Sequence, residues 1–550
     1  MSVMRFEPFR DPFREFDRLL SMAASGTRAP LGMPLDVYRG GDGSYHVEAD
    51  LPGVDPDSVE VTVERGGLNL FGRLDFTINP NHRLTLRHNR VDAENDELFR
   101  ANNAYQFGGS MYVGDHLTNS TVLQLNSQFG SDMFNELRLG YSTISDERIP
   151  SREPFPFVIV NLPGGRAINA GTENFSTANA LDQKIFSLTN DLSFARGRHT
   201  FTIGTHNELF SFDNIFARNL YGNYTFATVT DFQAGIPNRY EFTFLNEGGK
   251  PSAAFDVRQL SFYAQDQWDV LDNLTLTAGL RYDVTLLPDE PSFNPLVETS
   301  FGRRTDEVPT GNGLFNPRIG FNWNVTGDRS TQVRGGTGLF SGRTPYVWIS
   351  NAYGNTGVDY TRFTCSTAAT SPAFVADPNN QPRACRGTTA AVPNEIALVH
   401  PDFKLPQVWR STLGVDQRLP LGFIATLEGM FTKTRNDVVY RELTVGAVTG
   451  GTVEGRAAYN RNLQGFASVT DVQNTDEGES LNLTVQLQRS FQGRFDVGAA
   501  YSFTRAKDVT STISSQAISS WRRNAIADDP NNPPLRPSNY EVPQIGRAHV

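Results

Sequence analysis

The stretch SFYAQDQWDVLDNLTLTAGLRYDV, residues 261–284, is two runs of alternating side chains joined by three turn residues. Together with Leu260, the first run sets Leu260, Phe262, Ala264, Trp268 and Val270 on one face. Ser261, Tyr263, Gln265, Gln267 and Asp269 share the other, and Asp266 is the lone exception. The second run sets Leu274, Leu276, Ala278, Leu280, Tyr282 and Val284 against Thr275, Thr277, Gly279, Arg281 and Asp283. A strand turns successive side chains to opposite faces, so a two-residue period marks a strand with one apolar side. The three residues LDN (271–273) are then a hairpin turn.

The same alternation returns in NPRIGFNWNV (316–325) through Ile319, Phe321, Trp323 and Val325, and in LNLTVQLQ (481–488) through Leu481, Leu483, Val485 and Leu487. It returns again in RFDVGAAYSF (494–503) through Phe495, Val497, Ala499, Tyr501 and Phe503. Alternation alone also fits a soluble sandwich. The connections separate the two. Tight turns fall at 79–81, 129–133, 195–197, 271–273, 327–330, 419–422 and 490–493, with long polar loops near 91–118, 144–183, 212–257, 286–315, 342–404 and 437–477. In a meander, all short turns then lie at one end and all long loops at the other, which is the arrangement of outer-membrane barrels. A compact soluble domain carries few structureless loops of that size.

The expected fold is all-β: an antiparallel up-and-down transmembrane barrel of about fourteen strands in seven hairpins. A strand of about ten residues, tilted by about 40°, spans on the order of 25 Å, the height of the apolar band. Aromatic residues Phe262, Trp268, Tyr282, Trp323, Tyr501 and Phe503 are expected at the membrane interfaces, with Trp268 beside a tight turn and Phe262 opposite Tyr282 toward the long loops.

Bulk composition narrows the partners. The chain has 550 residues, with 49 Lys+Arg against 60 Asp+Glu, a net charge of −11 and no basic cluster, which excludes a nucleic-acid partner. No run approaches the roughly 18 apolar residues of a spanning helix, which excludes helical spans and leaves alternating barrel strands untouched. The start, MSVMRFEPFRDPFREFDRLL (1–20), carries scattered acidic residues and lacks the apolar core of a secretory signal, so the chain as written is expected in the cytoplasm. That expectation conflicts with the outer-membrane location that the barrel pattern requires. The two cysteines, Cys365 and Cys385, lie in a Thr/Ala/Pro/Asn-rich loop. The pair suits an oxidising compartment, and a disulfide closing that loop is expected to be worth about 3 kcal/mol.

Chemical constellations are sparse. His82 and His88 would share a strand face about 20 Å apart, too far for one metal ion. His199 and His206 would point to opposite faces of an unbroken strand, as lumen and interface residues. Asp92, Glu94, Asp96 and Glu97 in VDAENDE lack the spacing of a calcium loop and read as a solvated acidic turn. RGGTGLFSGR (334–343) has glycines at phosphate-loop density without the Lys-Ser/Thr such a loop needs, so it reads as barrel sequence. No catalytic, cofactor or metal site is expected, and enzymatic activity has no support.

The first seventy residues read differently. Phe6, Phe9, Phe13, Phe16 and Leu20 recur at helical spacing, predicting an amphipathic arm within residues 1–30. MPLDVYRGGDGSYHVEADLPGVDPDSVEVTVERGGLNL (33–70) follows as short strands between turns. Its P-x-D-V-Y, Y-x-V-E-A-D-L-P-G-V and V-x-V-E runs resemble the small heat-shock (alpha-crystallin) family. The resemblance implies a β-sandwich, of which residues 31–70 supply only the opening strands. The later strands, the closing G-x-L and the I-x-I tail are not recognised, so a working chaperone domain is not expected.

From about residue 71 the chain resembles a second family. Y-x-Q-D-x-W (263–268) followed by L-T-L-x-x-G-L-R-Y (274–282) looks like the TonB-dependent outer-membrane receptors. NPRIGFNWNVTGDRSTQVRGGTGLFSGRTPY (316–346), LPQVWRSTLGVDQRLPLGFIATLEGMF (405–431) and NLTVQLQRSFQGRFDVGAAYSFTRAKD (482–508) are similar to their Oar-like branch. That resemblance implies a plugged barrel of about 22 strands set in outer-membrane lipid. Energised through a TonB box, it would import an extracellular ligand that the sequence does not name. No plug, TonB box or carboxypeptidase-like module is recognised ahead of the barrel, and about fourteen strands fall short of the family's number. A partial barrel over 71–544, not competent for uptake alone, is therefore expected. The final IGRAHV (545–550) is what ATC GGA AGA GCA CAC GTC would encode, the start of a common sequencing adapter, and GGLNLFGRLD (66–75) is expected to hold a join between two unrelated proteins. The competing readings are a natural fusion, a small heat-shock chaperone, and a passive porin or adhesin barrel.

Overall fold

The computed structural model describes residues 67–541 with breaks at 99, 344, 388–393, 452–454, 492–494, 512–513, 525–528 and 540, together with strand segments 35–39, 45–49, 59–64 and 544–545. The helix expected within residues 1–30 and the tail 546–550 lie outside the described residues. Over the described residues the protein is mostly antiparallel strand.

Fourteen strands of eleven to nineteen residues make one wall. They pair as seven hairpins: Gly67–Asn79 with His82–Glu97, Tyr112–Phe129 with Met133–Pro150, and Asn179–Arg196 with His199–Phe216. Then come Ala253–Leu271 with Leu274–Leu286, Leu314–Asn324 with Thr331–Ser341, Gln407–Arg418 with Ile424–Glu442, and Gly478–Phe491 with Phe495–Asp508. Each hairpin also pairs with the next, so the sheet is continuous. Gly197, at φ 63°, supplies the left-handed residue that the tight turn between Arg196 and His199 needs.

Val59–Glu64 joins the same sheet by pairing with Gly67–Asn79, Val61 opposite Leu70, so a boundary at residues 70/71 falls inside a wall strand. Short strands Arg536–Pro537 and Gln544–Ile545 pair with Phe495–Asp508. The strand order passes from them back to Val59–Glu64 as a ring, at a seam where no residue register stands among the described residues. Leu35–Arg39 and Tyr45–Ala49 form a separate two-stranded sheet.

Strand length corrects one expectation. Ala253–Leu271 and Ile424–Glu442 each run nineteen residues, well beyond the ten that a lipid band requires. The reason lies in the upper part of the strands, where the inner face gains an apolar core and the backbone keeps its ladder. The acidic residues Asp92 to Glu97 likewise belong to the strand His82–Glu97 rather than to a turn.

The long connections fold as well. Four of them contribute to one six-stranded sheet, in the order Tyr360–Cys365, Arg239–Leu245, Asn223–Phe226, Phe157–Leu162, Arg166–Ala170, Ala104–Gln106. Short helices sit beside it. In Pro295–Phe301, the Asn294 side chain accepts from the Leu296 N–H, Pro295 opens the helix, and Gly302 at φ 67° closes it.

Candidate functional site at the outer mouth

The lower wall is apolar outside and polar inside. Phe262, Trp268, Trp323, Tyr501 and Phe503 are exposed on the outer face, while Tyr282 is half-buried because its ring packs on Phe315 at 4.7 Å. Phe262 stands directly opposite Tyr282, far from the tight turn, while Trp268 and Trp323 lie close to tight turns, opposite Leu276 and Leu274. On the inner face, the motif residues converge. Asp283 is buried and accepts from Ser261 Oγ at 2.5 Å, Arg281 Nε at 2.8 Å, Asn316 Nδ2 at 2.7 Å and Ser341 Oγ at 2.7 Å. Gln407 Nε2 donates to Asn316 Oδ1 at 2.9 Å, so one polar belt crosses five strands. The alternation assigned Ser261, Arg281 and Asp283 to the polar face; it held no information on their partners.

Above that belt the lumen is filled. Phe210 and Phe212 of one strand, and Ala253, Phe255 and Val257 of its neighbour, are buried on the inner face. Tyr346, Ile349 and Tyr353, from and just ahead of helix Val347–Gly354, pack onto them, with Tyr353 stacked on Phe255 at 4.3 Å. Ala352 of the same helix meets Ala397, Val399, Val438 and Tyr440, which carries the core across to the Ile424–Glu442 strand. Polar pins fix the helix. Arg343 pairs with Glu208, Asn214 Nδ2 donates to Ser350 Oγ at 2.7 Å, and the Tyr346 hydroxyl donates to Gln259 Oε1 at 3.2 Å.

Charges lock the connections together. Arg218 and Arg362, from two different loops, share Glu395, with Arg218 at 2.8 Å. Burial and the repulsion of Arg362 hold the Arg218 guanidinium below its ordinary range. Burial pushes Glu395 up, but Arg362 and Arg218 together outweigh it and keep the carboxyl below its ordinary value. Beside this triad, Phe216, Asn351, Asn355 and Gln516 help to line a cavity of about 30 Å³, room for a water molecule or two. Arg303 pairs with the fully buried Asp471, tying a third loop to a fourth.

Cys365 and Cys385 are joined, with Cα atoms 5.6 Å apart. Cys365 ends the edge strand of the six-stranded sheet and is buried among Val158, Tyr240 and Phe363. Between the two cysteines, Gln381 accepts from the Tyr224 hydroxyl at 2.8 Å and donates to the Val375 and Asp377 carbonyls at 2.9 and 2.7 Å. Burial pushes the Tyr224 hydroxyl up to about 12. The loop is thus stapled twice. Sequence spacing offered the cysteines; Gln381 carried no signal, because the tyrosines that reach it, Tyr240 and Tyr224, lie 141 and 157 residues away.

Comparison with known proteins gives two sets of relatives. A family model described as outer membrane beta barrel domain matches residues 66–549. The outer membrane transporter YddB from Escherichia coli shares the fold at TM-score 0.52 and 11% identity, over 86% of this chain and 50% of that one. The siderophore receptor PirA from Pseudomonas aeruginosa aligns at TM-score 0.43 and 10% identity, over 80% and 58%. Toward the N-terminus, an 18 kDa heat shock protein of Streptomyces albus G is 50% identical over 62 residues, 11% of this chain and 43% of the relative. An 18 kDa antigen 2 of Mycobacterium avium is 35% identical over 124 residues, 22% of this chain and 74% of the relative, a longer match than the first seventy residues can hold. The chain spans about half the length of the transporter and less than half of the heat shock protein. The chain belongs to the outer membrane β-barrel domain family, and its N-terminal segment to the family of the bacterial 18 kDa antigens and heat shock proteins.

Proposed function

We propose that residues 71–544 are the barrel of an Oar-like, TonB-dependent outer-membrane receptor, which captures an extracellular ligand at its mouth for energised uptake, with outer-membrane lipid and the TonB system as its partners. The observation that carries this reading is the filled mouth. Helix Val347–Gly354 shares one buried cluster with Phe255 and Val257 and, through Ala352, a second with Val438 and Tyr440, and Arg343 just ahead of it pairs with Glu208, so folded loop obstructs the outer end among the described residues. A passive porin needs the opposite, a lumen open to water. In a receptor, the loops that fill the mouth also form its ligand surface. Planar-bilayer recording of the refolded chain tests this. The intact protein should show small, intermittent conductance and a variant lacking residues 345–404 a large steady one; a large steady conductance from the intact protein returns the passive-porin reading.

A join between two unrelated proteins near residues 66–72 is favoured by the barrel model beginning at residue 66. Sequencing the source DNA across the codons for residues 60–80 tests it; uninterrupted reads across that point establish a natural fusion instead.

A further inference from the structure

Along the outward row of Ala253–Leu271, Asp266 interrupts an otherwise apolar series, standing between Phe201 on one neighbouring strand and Ala278 on the other. An ionisable residue on a lipid-facing surface is rare and calls for a partner. That partner is His199, whose Nδ1 lies 2.8 Å from Asp266 Oδ2. A carboxylate only accepts, so Nδ1 carries the proton.

The imidazole lies nearly parallel to two neighbouring rings, Trp268 at 5.4 Å and 10° and Phe201 at 5.6 Å and 6°. Phe194 extends the stack at 5.2 Å. His199 and Asp266 are 37% and 32% exposed on the side of the wall that meets lipid, with His199 next to a tight turn. The second ring nitrogen, Nε2, has no hydrogen-bond partner among the described residues. Arg198, exposed in the adjoining turn, is paired with Asp272 at 2.7 Å.

A carboxylate bonded to one nitrogen of a histidine fixes the ring's tautomer and orientation. We propose that His199, oriented by Asp266, is a binding site for the phosphate of a phospholipid headgroup, in the leaflet that meets the tight-turn end of the barrel. Trp268 and Phe201 place the ring at the depth of the aromatic girdle, where headgroup phosphates begin. On binding, Nε2 shares a proton with a phosphate oxygen in a charge-assisted hydrogen bond, and Asp266 holds the ring from within the wall.

The test is native mass spectrometry of the full chain, refolded in dodecyl maltoside and titrated with phosphatidylglycerol. Diacylglycerol of the same acyl chains is the phosphate-free arm, and inorganic phosphate the headgroup without chains. The intact protein should hold one phosphatidylglycerol more tightly than diacylglycerol, with no adduct from inorganic phosphate at the same concentration. His199→Phe keeps the stack and removes Nε2, so it should weaken phosphatidylglycerol by about tenfold, the size of one charge-assisted hydrogen bond. His199→Leu should do the same, and heat-modifiable gel migration shows whether each variant is folded. If folded variants bind phosphatidylglycerol like the intact chain and only melt earlier, the pair is a cross-strand pin and the site does not exist. Equal retention of diacylglycerol, or a stable adduct from inorganic phosphate, overturns it as well.

Discussion

Residues 260–270 and residues 253–258 lie on one unbroken strand and sort their side chains in opposite senses. In the first segment the outward row holds Leu260, Phe262 and Trp268, and the inward row holds Ser261, Tyr263 and Gln265. In the second, Ala253, Phe255 and Val257 point inward and are buried, while Asp256 and Arg258 point outward into water. The register against His199–Phe216 has no bulge, so the backbone does not change over; only the surroundings do. Lipid outside and water inside give way to water outside and an apolar core inside. The strand thus records where the membrane ends, between Leu260 and Arg258, and ten residues of tilted strand below that point match the roughly 25 Å of the hydrocarbon band.

Four comparisons separate the two regions. Phe255→Ala empties a packed site between Tyr353 and Phe212 and should cost about 3–5 kcal/mol in urea unfolding. Phe262→Ala should cost less, because lipid closes over the position and no cavity remains; equal losses would mean that the mouth is not a packed core. Replacing Cys365 and Cys385 by serine should lower the stability of the mouth by about 3 kcal/mol, read as protease cleavage within residues 366–384 while the wall stays intact. Simultaneous loss of the wall would couple the regions.

Ile319→Arg, in the middle of the apolar band, should destabilise by about 2–4 kcal/mol, and Leu209→Arg, beside Arg258 at the changeover, by about 0–1 kcal/mol. A large cost at Leu209 would move the membrane boundary upward. The smallest effect is electrostatic. Because the folded Glu395 carboxyl sits below its ordinary 4.5, its contribution is complete above that pH and is lost as the pH falls through the lower folded value. Melting of the mouth should therefore decline on the acid side of pH 4.5, and Glu395→Gln should flatten that decline.

The wall is legible in the sequence because alternation and turn spacing are local. The seven hairpins fall where tight turns were expected, and the wall has the fourteen long strands that they imply. The mouth was read as loop, although AAFDVR (253–258) alternates as regularly as the segment below it. Its phase is opposite, and phase has meaning only against a known neighbour. Arg218 and Glu395 are 177 residues apart, and Arg303 and Asp471 are 168 apart, so no spacing rule could pair them. His199 was placed on the face opposite to His206, yet its stack with Trp268 and Phe201 depends on which strands become neighbours.

By itself, then, the sequence determined the strands, their turns and the sign of each face in the membrane, because a two-residue period and a short turn are properties of adjacent residues. The tertiary structure alone decided that the long connections close over the lumen, that one strand reverses its inner polarity on leaving the bilayer, and that distant charges meet there. Those outcomes depend on what each side chain is buried against, and burial is set by neighbours that lie far away along the chain.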